Sequence, residues 1–88
     1  MKVKDGFMLR EIAGQWVVVP LGEMVVEFNG IITLTETGAL LWRKLETGAE
    51  EDDLVKALMD EYDVDEATAR EDVKSFLKDT IEKNMVVA

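Results

Sequence analysis

The chain changes its hydrophobic period near residue 35. Before that point apolar residues come in short runs with a spacing near two; after it they recur every three or four positions. Phe7 to Ile12 and residues 15–19 are β-prone runs separated by Ala13-Gly14, and a two-residue gap containing Gly predicts a hairpin. Val19-Pro20-Leu21-Gly22 then supplies a turn, with Pro at its second position and Gly at its fourth. Residues 23–28 alternate: Met24, Val26 and Phe28 on one face, Glu23, Val25 and Glu27 on the other. The pattern predicts a three-stranded antiparallel meander with the second run central and residues 23–28 as an edge strand.

Asn29-Gly30 breaks the sheet, because both residue types tolerate positive φ. Ile31, Ile32 and Leu34 read as an apolar connector. Thr35 reads as a helix N-cap, with Glu36 in the first turn where the helix dipole favours an acid. Gly38, Leu41, Trp42 and Leu45 follow at helical spacing, and Gly48 ends the helix. A Gly inside a helix costs about 1 kcal/mol against Ala, so Gly38 is expected at a close approach to another backbone. A second helix over 50–62 carries the stripe Leu54, Val55, Leu58, Met59 and Tyr62. Asp65 caps a third, with the stripe Ala69, Val73, Phe76, Leu77, Thr80 and Ile81. Met85 to Val87 form a short apolar tail that either frays or covers the core. The fold class expected is α+β, an N-terminal three-stranded antiparallel sheet followed by three helices, in one domain spanning residues 1–88.

Charge narrows the partners. The net charge is −9, and most of it lies in residues 49–88, where five Lys and Arg face thirteen Asp and Glu. Nucleic-acid binding needs a basic footprint, so DNA and RNA are not expected as partners. The plain account of the acidic half is a solvated helical face. No apolar run approaches the ~20 residues of a membrane span. The N-terminal MKVKDGFMLR lacks the apolar core of a signal peptide, so a cytoplasmic protein is expected.

Chemistry narrows the activity. The chain has no His and no Cys, hence no imidazole base, no thiolate and no soft metal ligand. A superficial calcium loop from Asp63 fails, because its sixth position is Thr68 rather than Gly and its twelfth is Lys74 rather than Glu. No Gly-rich phosphate loop is present. The expectation is a non-enzyme with no cofactor and no metal.

Two features suit a binding role. An edge strand at residues 23–28 would present unpaired N–H and C=O groups to an added strand. On the third helix Arg70, Lys74 and Lys78 stand at i, i+4 and i+8, beside Val73, Leu77 and Ile81, which suits a charged rim along an apolar groove for an acidic peptide. Each has a plainer account that pattern alone favours: a solvated edge guarded by Glu23 and Glu27, and intrahelical pairs such as Glu66 with Arg70.

The order of these motifs resembles the PqqD family, the pyrroloquinoline quinone biosynthesis D-like peptide chaperones, also called RiPP recognition elements. The resemblance runs from Phe7 to Val87 and is carried by FMLREIAGQWVVVP, by VVEFNGIITLTETGALLW, and by LVKALMDEYDVDEATAREDVKSFLKDTIEKNMV. It implies a winged-helix-like domain without catalytic activity. Such a domain binds the leader region of a ribosomally made precursor peptide and presents it to a modifying enzyme, often a radical S-adenosylmethionine enzyme. It further implies that the leader docks as an antiparallel strand on the third strand, against the third helix. Carried onto this sequence, the strand residues are Met24, Val25, Val26, Glu27 and Phe28, and the helix residues are Arg70, Val73, Lys74, Leu77, Lys78 and Ile81. The alternatives are a winged-helix transcription regulator and a structural subunit of a maturase complex. A monomer and a dimer both fit an open strand edge.

Overall fold

A computed structural model describes residues 1–27 and 30–88. The hairpin forms as predicted: β2 (Phe7–Ile12) pairs antiparallel with β3 (Gln15–Pro20), following a short β1 (Lys2–Val3). Its two loop residues, Ala13 and Gly14, both have positive φ, at 52° and 80°. A two-residue hairpin that matches the strand twist requires this.

The third strand is not where the alternation of residues 23–28 predicts it. Met24–Glu27 is a short helical turn, α1, and the strand that completes the sheet is β4, Ile32–Leu34. The sheet order is β2-β3-β4, with Trp16 opposite Leu34, Val17 opposite Thr33 and Val18 opposite Ile32. The backbone of α1 is satisfied locally. The N–H groups of Met24, Val25 and Val26 donate to the carbonyls of Leu21, Gly22 and Glu23 at 3.1, 3.2 and 3.2 Å. Only one edge of β3 remains after β2 has paired with the other. Ile32 and Leu34 take it, because in that register both pack against the core. Phe28, the last residue of the predicted strand, lies outside the described residues.

Three helices follow the sheet: α2 (Glu36–Glu46), α3 (Glu51–Glu61) and α4 (Glu66–Glu82). The predicted caps are in place. Thr35 Oγ1 accepts from the Gly38 N–H at 3.0 Å, and Asp65 Oδ1 accepts from the Thr68 N–H at 2.8 Å. Glu36 in the first turn of α2 and Arg43 and Lys44 in its last suit the helix dipole. Before α3, the Glu50 N–H donates to Asp53 Oδ2 at 2.9 Å.

The core joins sheet and helices through Val18, Leu41, Trp42, Leu45, Leu54, Leu58, Val73 and Leu77. Trp42 is fully buried, with its ring edge-on to Phe7 at a centroid distance of 6.0 Å. Thr80 is the buried polar side chain of α4, and its hydroxyl donates back to the Phe76 carbonyl at 2.9 Å. The C-terminal tail covers the core rather than fraying. Met85 and Val86 are buried, and β5 (Val86–Val87) pairs antiparallel with β1 in a second, two-stranded sheet. Among the described residues no helix is long and apolar enough to cross a membrane.

Candidate functional site: the free edge of β4 and the cleft beside α4

β4 pairs with β3 on one side, and among the described residues no strand pairs with its other side. Its side chains divide by the strand period. Ile32 and Leu34 face the core and Thr33 is exposed. At its end, where Leu34 passes into the Thr35 cap, a cleft opens between the start of α2 and the middle of α4. Thr35, Thr37, Gly38, Leu41, Asp72, Ser75 and Phe76 line it, around a volume of about 350 Å³. Half-buried Phe76 and buried Leu41 make its walls apolar.

Gly38 keeps this cleft open. A Cβ at Gly38 would lie 3.3 Å from Thr35 Oγ1, 3.4 Å from Phe76 Cε1 and 3.6 Å from Leu34 Cβ. The close approach is therefore to side chains of three elements, not to another backbone. It places Leu34 of β4, the first turn of α2 and Phe76 of α4 within contact of one point.

The residues expected from sequence to hold a peptide are distributed differently. Met24, Val25, Val26 and Glu27 belong to α1, whose N–H groups close i to i−3 bonds and offer no ladder. Val25 and Val26 are 56% and 91% exposed. On α4, Val73 and Leu77 are buried in the core. Arg70 leans on α3: its guanidinium donates to Glu51 Oε2 at 2.7 Å and lies 3.0 Å from Asp52 Oδ1, with Glu66 at 3.7 Å. These carboxylates, Asp52 first and then Glu51, raise its pKa further, so it stays a fixed cation. Lys74 and Lys78 are exposed, and so is Ile81.

Phe76 lies about 200° around the helix from both Lys74 and Lys78, at two residues' separation. The flank of α4 that meets β4 and α2 is thus Asp72, Ser75 and Phe76; Lys74 and Lys78 stand away from Phe76, with Lys78 one turn from Ser75. Phe76 belongs to the predicted apolar stripe, but the site expected from sequence leaves it out. The signal that finds it is the pairing of a helix-interior Gly with an off-centre aromatic.

Among the described residues no group of three or more Asp and Glu stands close enough to hold a metal ion. What the geometry offers is a strand edge with which no strand pairs among the described residues, next to an apolar cleft. That defines a small α+β module of sheet followed by helices, built around a sheet edge.

The chain belongs to the PqqD family: the family profile described as "Coenzyme PQQ synthesis protein D (PqqD)" matches residues 15–86. Two solved structures share the fold. "TbiB1 in Complex with the TbiA(beta) Leader Peptide" is 27% identical with a TM-score of 0.76, over 97% of this chain and 93% of that one. "Lasso peptide synthetase B1 complexed with the leader peptide" is 20% identical with a TM-score of 0.76, over 99% of this chain and 96% of that one. No curated protein matches the chain by sequence.

Proposed function

We propose that this protein is a non-catalytic adaptor that binds the leader region of a ribosomally made precursor peptide and holds it for a modifying enzyme. The leader adds as an antiparallel strand to the free edge of β4, and one of its side chains enters the cleft bordered by Gly38, Asp72 and Phe76. The observation that carries this reading is the unpaired β4 edge ending at an apolar cleft. The similar TbiB1 was solved with a leader peptide, which supports the same role here. Main-chain ladder bonds would supply affinity with little demand on sequence, and the cleft would supply selectivity. Ordering a flexible peptide costs about 2–5 kcal/mol, so dissociation constants in the micromolar to high-nanomolar range follow.

The test is to titrate the isotope-labelled protein with the leader of a precursor encoded beside it. Binding should slow amide exchange in β4 and shift the resonances of Gly38 and Phe76. Binding that leaves β4 exchange unchanged rules out strand addition at this edge.

A further inference from the structure

The docking strip has a charge, and the inference drawn from it rests on the proposed use of β4. Two depressions touch the end of that strand. One is the cleft beside α4, whose lining includes Asp72. The other is lined by Thr33 and Leu34 of β4 together with Trp16, Glu11 and Glu36. Neither lining contains a Lys or Arg.

The three carboxylates are also uncommitted. Asp72, Glu11 and Glu36 have no ion-pair partner among the described residues. Among the described residues some acids on or near α4 are paired, Asp79 with Lys83 at 3.1 Å and Glu51, Asp52 and Glu66 around Arg70, while Glu71 and Glu82 on the same helix are not. Arg43 lies over the Trp16 ring of the second depression at 4.3 Å from its centroid, and Arg10 adjoins Glu11 on β2. Lys74 and Lys78 stand on the opposite flank of α4 from Phe76.

We infer that the peptide accepted here is basic, not acidic: it carries a Lys or Arg next to an apolar anchor residue. The anchor enters the cleft against Phe76 and Leu41, and its cationic neighbour lies against Asp72 at the rim. Glu36, in the first turn of α2, favours further positive charge at the same end of β4, whereas Glu11 stands on β2, at the far edge of the sheet from the added strand. An acidic peptide on the β4 edge would meet Asp72 and Glu36, neither of them ion-paired among the described residues, and no Lys or Arg in the lining of the cleft. Each exposed pair changes affinity by about two- to fivefold at low salt, and screening weakens it as salt rises.

The experiment selects random displayed peptides on the wild-type protein and on Asp72→Lys. Asp72 is exposed, so the fold of the variant is checked by circular dichroism and thermal midpoint. Binders are then placed by amide exchange in β4. The expected result on wild type is enrichment of Lys or Arg beside an apolar residue among peptides that protect β4. On Asp72→Lys the same peptides should bind roughly tenfold more weakly, and enrichment should move toward Asp or Glu at that position. Peptides that protect β4 yet show no basic preference, or bind both proteins equally, overturn this inference and leave the adaptor reading standing. Binders that never protect β4 overturn the adaptor reading and this inference together.

Discussion

Gly38 offers the sharpest separation of stability from binding. It is the third residue of α2, and its N–H donates to the Thr35 cap at 3.0 Å. Gly38→Ala adds a Cβ at 3.3 Å from Thr35 Oγ1, tighter than ordinary contact, and at 3.4 Å from Phe76 Cε1, the near limit of ordinary contact. The Phe76 ring is half-buried and can give by a few tenths of an ångström, but a shift of Thr35 Oγ1 lengthens the cap bond. Against this, Ala is favoured over Gly in a helix by up to about 1 kcal/mol. The two effects oppose each other, so Gly38→Ala should change stability by less than about 1 kcal/mol. Gly38→Leu carries the side chain into the mouth of the cleft. Overpacking of this kind costs about 1–3 kcal/mol, and a peptide side chain loses its seat. Full burial of one large apolar side chain contributes about 1.5–3 kcal/mol, so the dissociation constant for the leader should rise roughly ten- to hundredfold. Fluorescence anisotropy with a labelled leader reads the affinity, and thermal denaturation followed by circular dichroism reads the fold. A folded Gly38→Leu protein with wild-type affinity would refute the cleft as part of the site.

Two further outcomes follow from the same structure. Val26→Ser on α1, at a side chain 91% exposed, should leave stability within about 0.5 kcal/mol and leader affinity unchanged; a large loss of affinity would return the docking strand to residues 24–27. Asp65 has its pKa lowered by the Thr68 N–H that it accepts, so its contribution to stability is full above the unfolded carboxylate value and is lost as pH falls through the folded one. Asp65→Asn keeps a cap but does not titrate, so its thermal midpoint should match wild type at neutral pH and fall less steeply below about pH 4. Superimposable acid profiles would count against the Asp65 contribution.

Much of the fold can be read from local chemistry. The Ala13-Gly14 hairpin, the Thr35 and Asp65 caps and the three helices each depend on neighbours within a few residues and stand where the pattern puts them, though Met59 and Ile81 of the predicted stripes are exposed. The third strand does not depend on local pattern. Residues 23–28 and residues 31–34 are both β-prone, and β3 has one edge to give. Val25 and Val26 enter a helical turn against their own preference because the turn satisfies their N–H groups, while Ile32 and Leu34 bring two side chains to the core in register with Val18 and Trp16. The pairing of β1 with β5 has no local signal either, since Val3 and Val86 meet from opposite ends of the sequence.

The helix face proposed here differs from the one expected from sequence for a related reason. The buried stripe of α4, at Ala69, Val73, Leu77 and Thr80, has two flanks, and periodicity treats them alike. The cationic flank draws notice because Arg70, Lys74 and Lys78 repeat at one helical interval. Yet α3 lies on that side, and its Glu51 and Asp52 engage Arg70. The other flank has one aromatic, Phe76, set off the centre of the stripe, and the helix-interior Gly38 approaches it. A Cβ at Gly38, in the first turn of α2, would press on Thr35 Oγ1 and meet Phe76. An aromatic at that place is a wall rather than a filler. On the proposed use of this flank the sign of the site follows: beside Phe76 the rim charge is Asp72, and Lys74 and Lys78 each stand about 200° around the helix from Phe76.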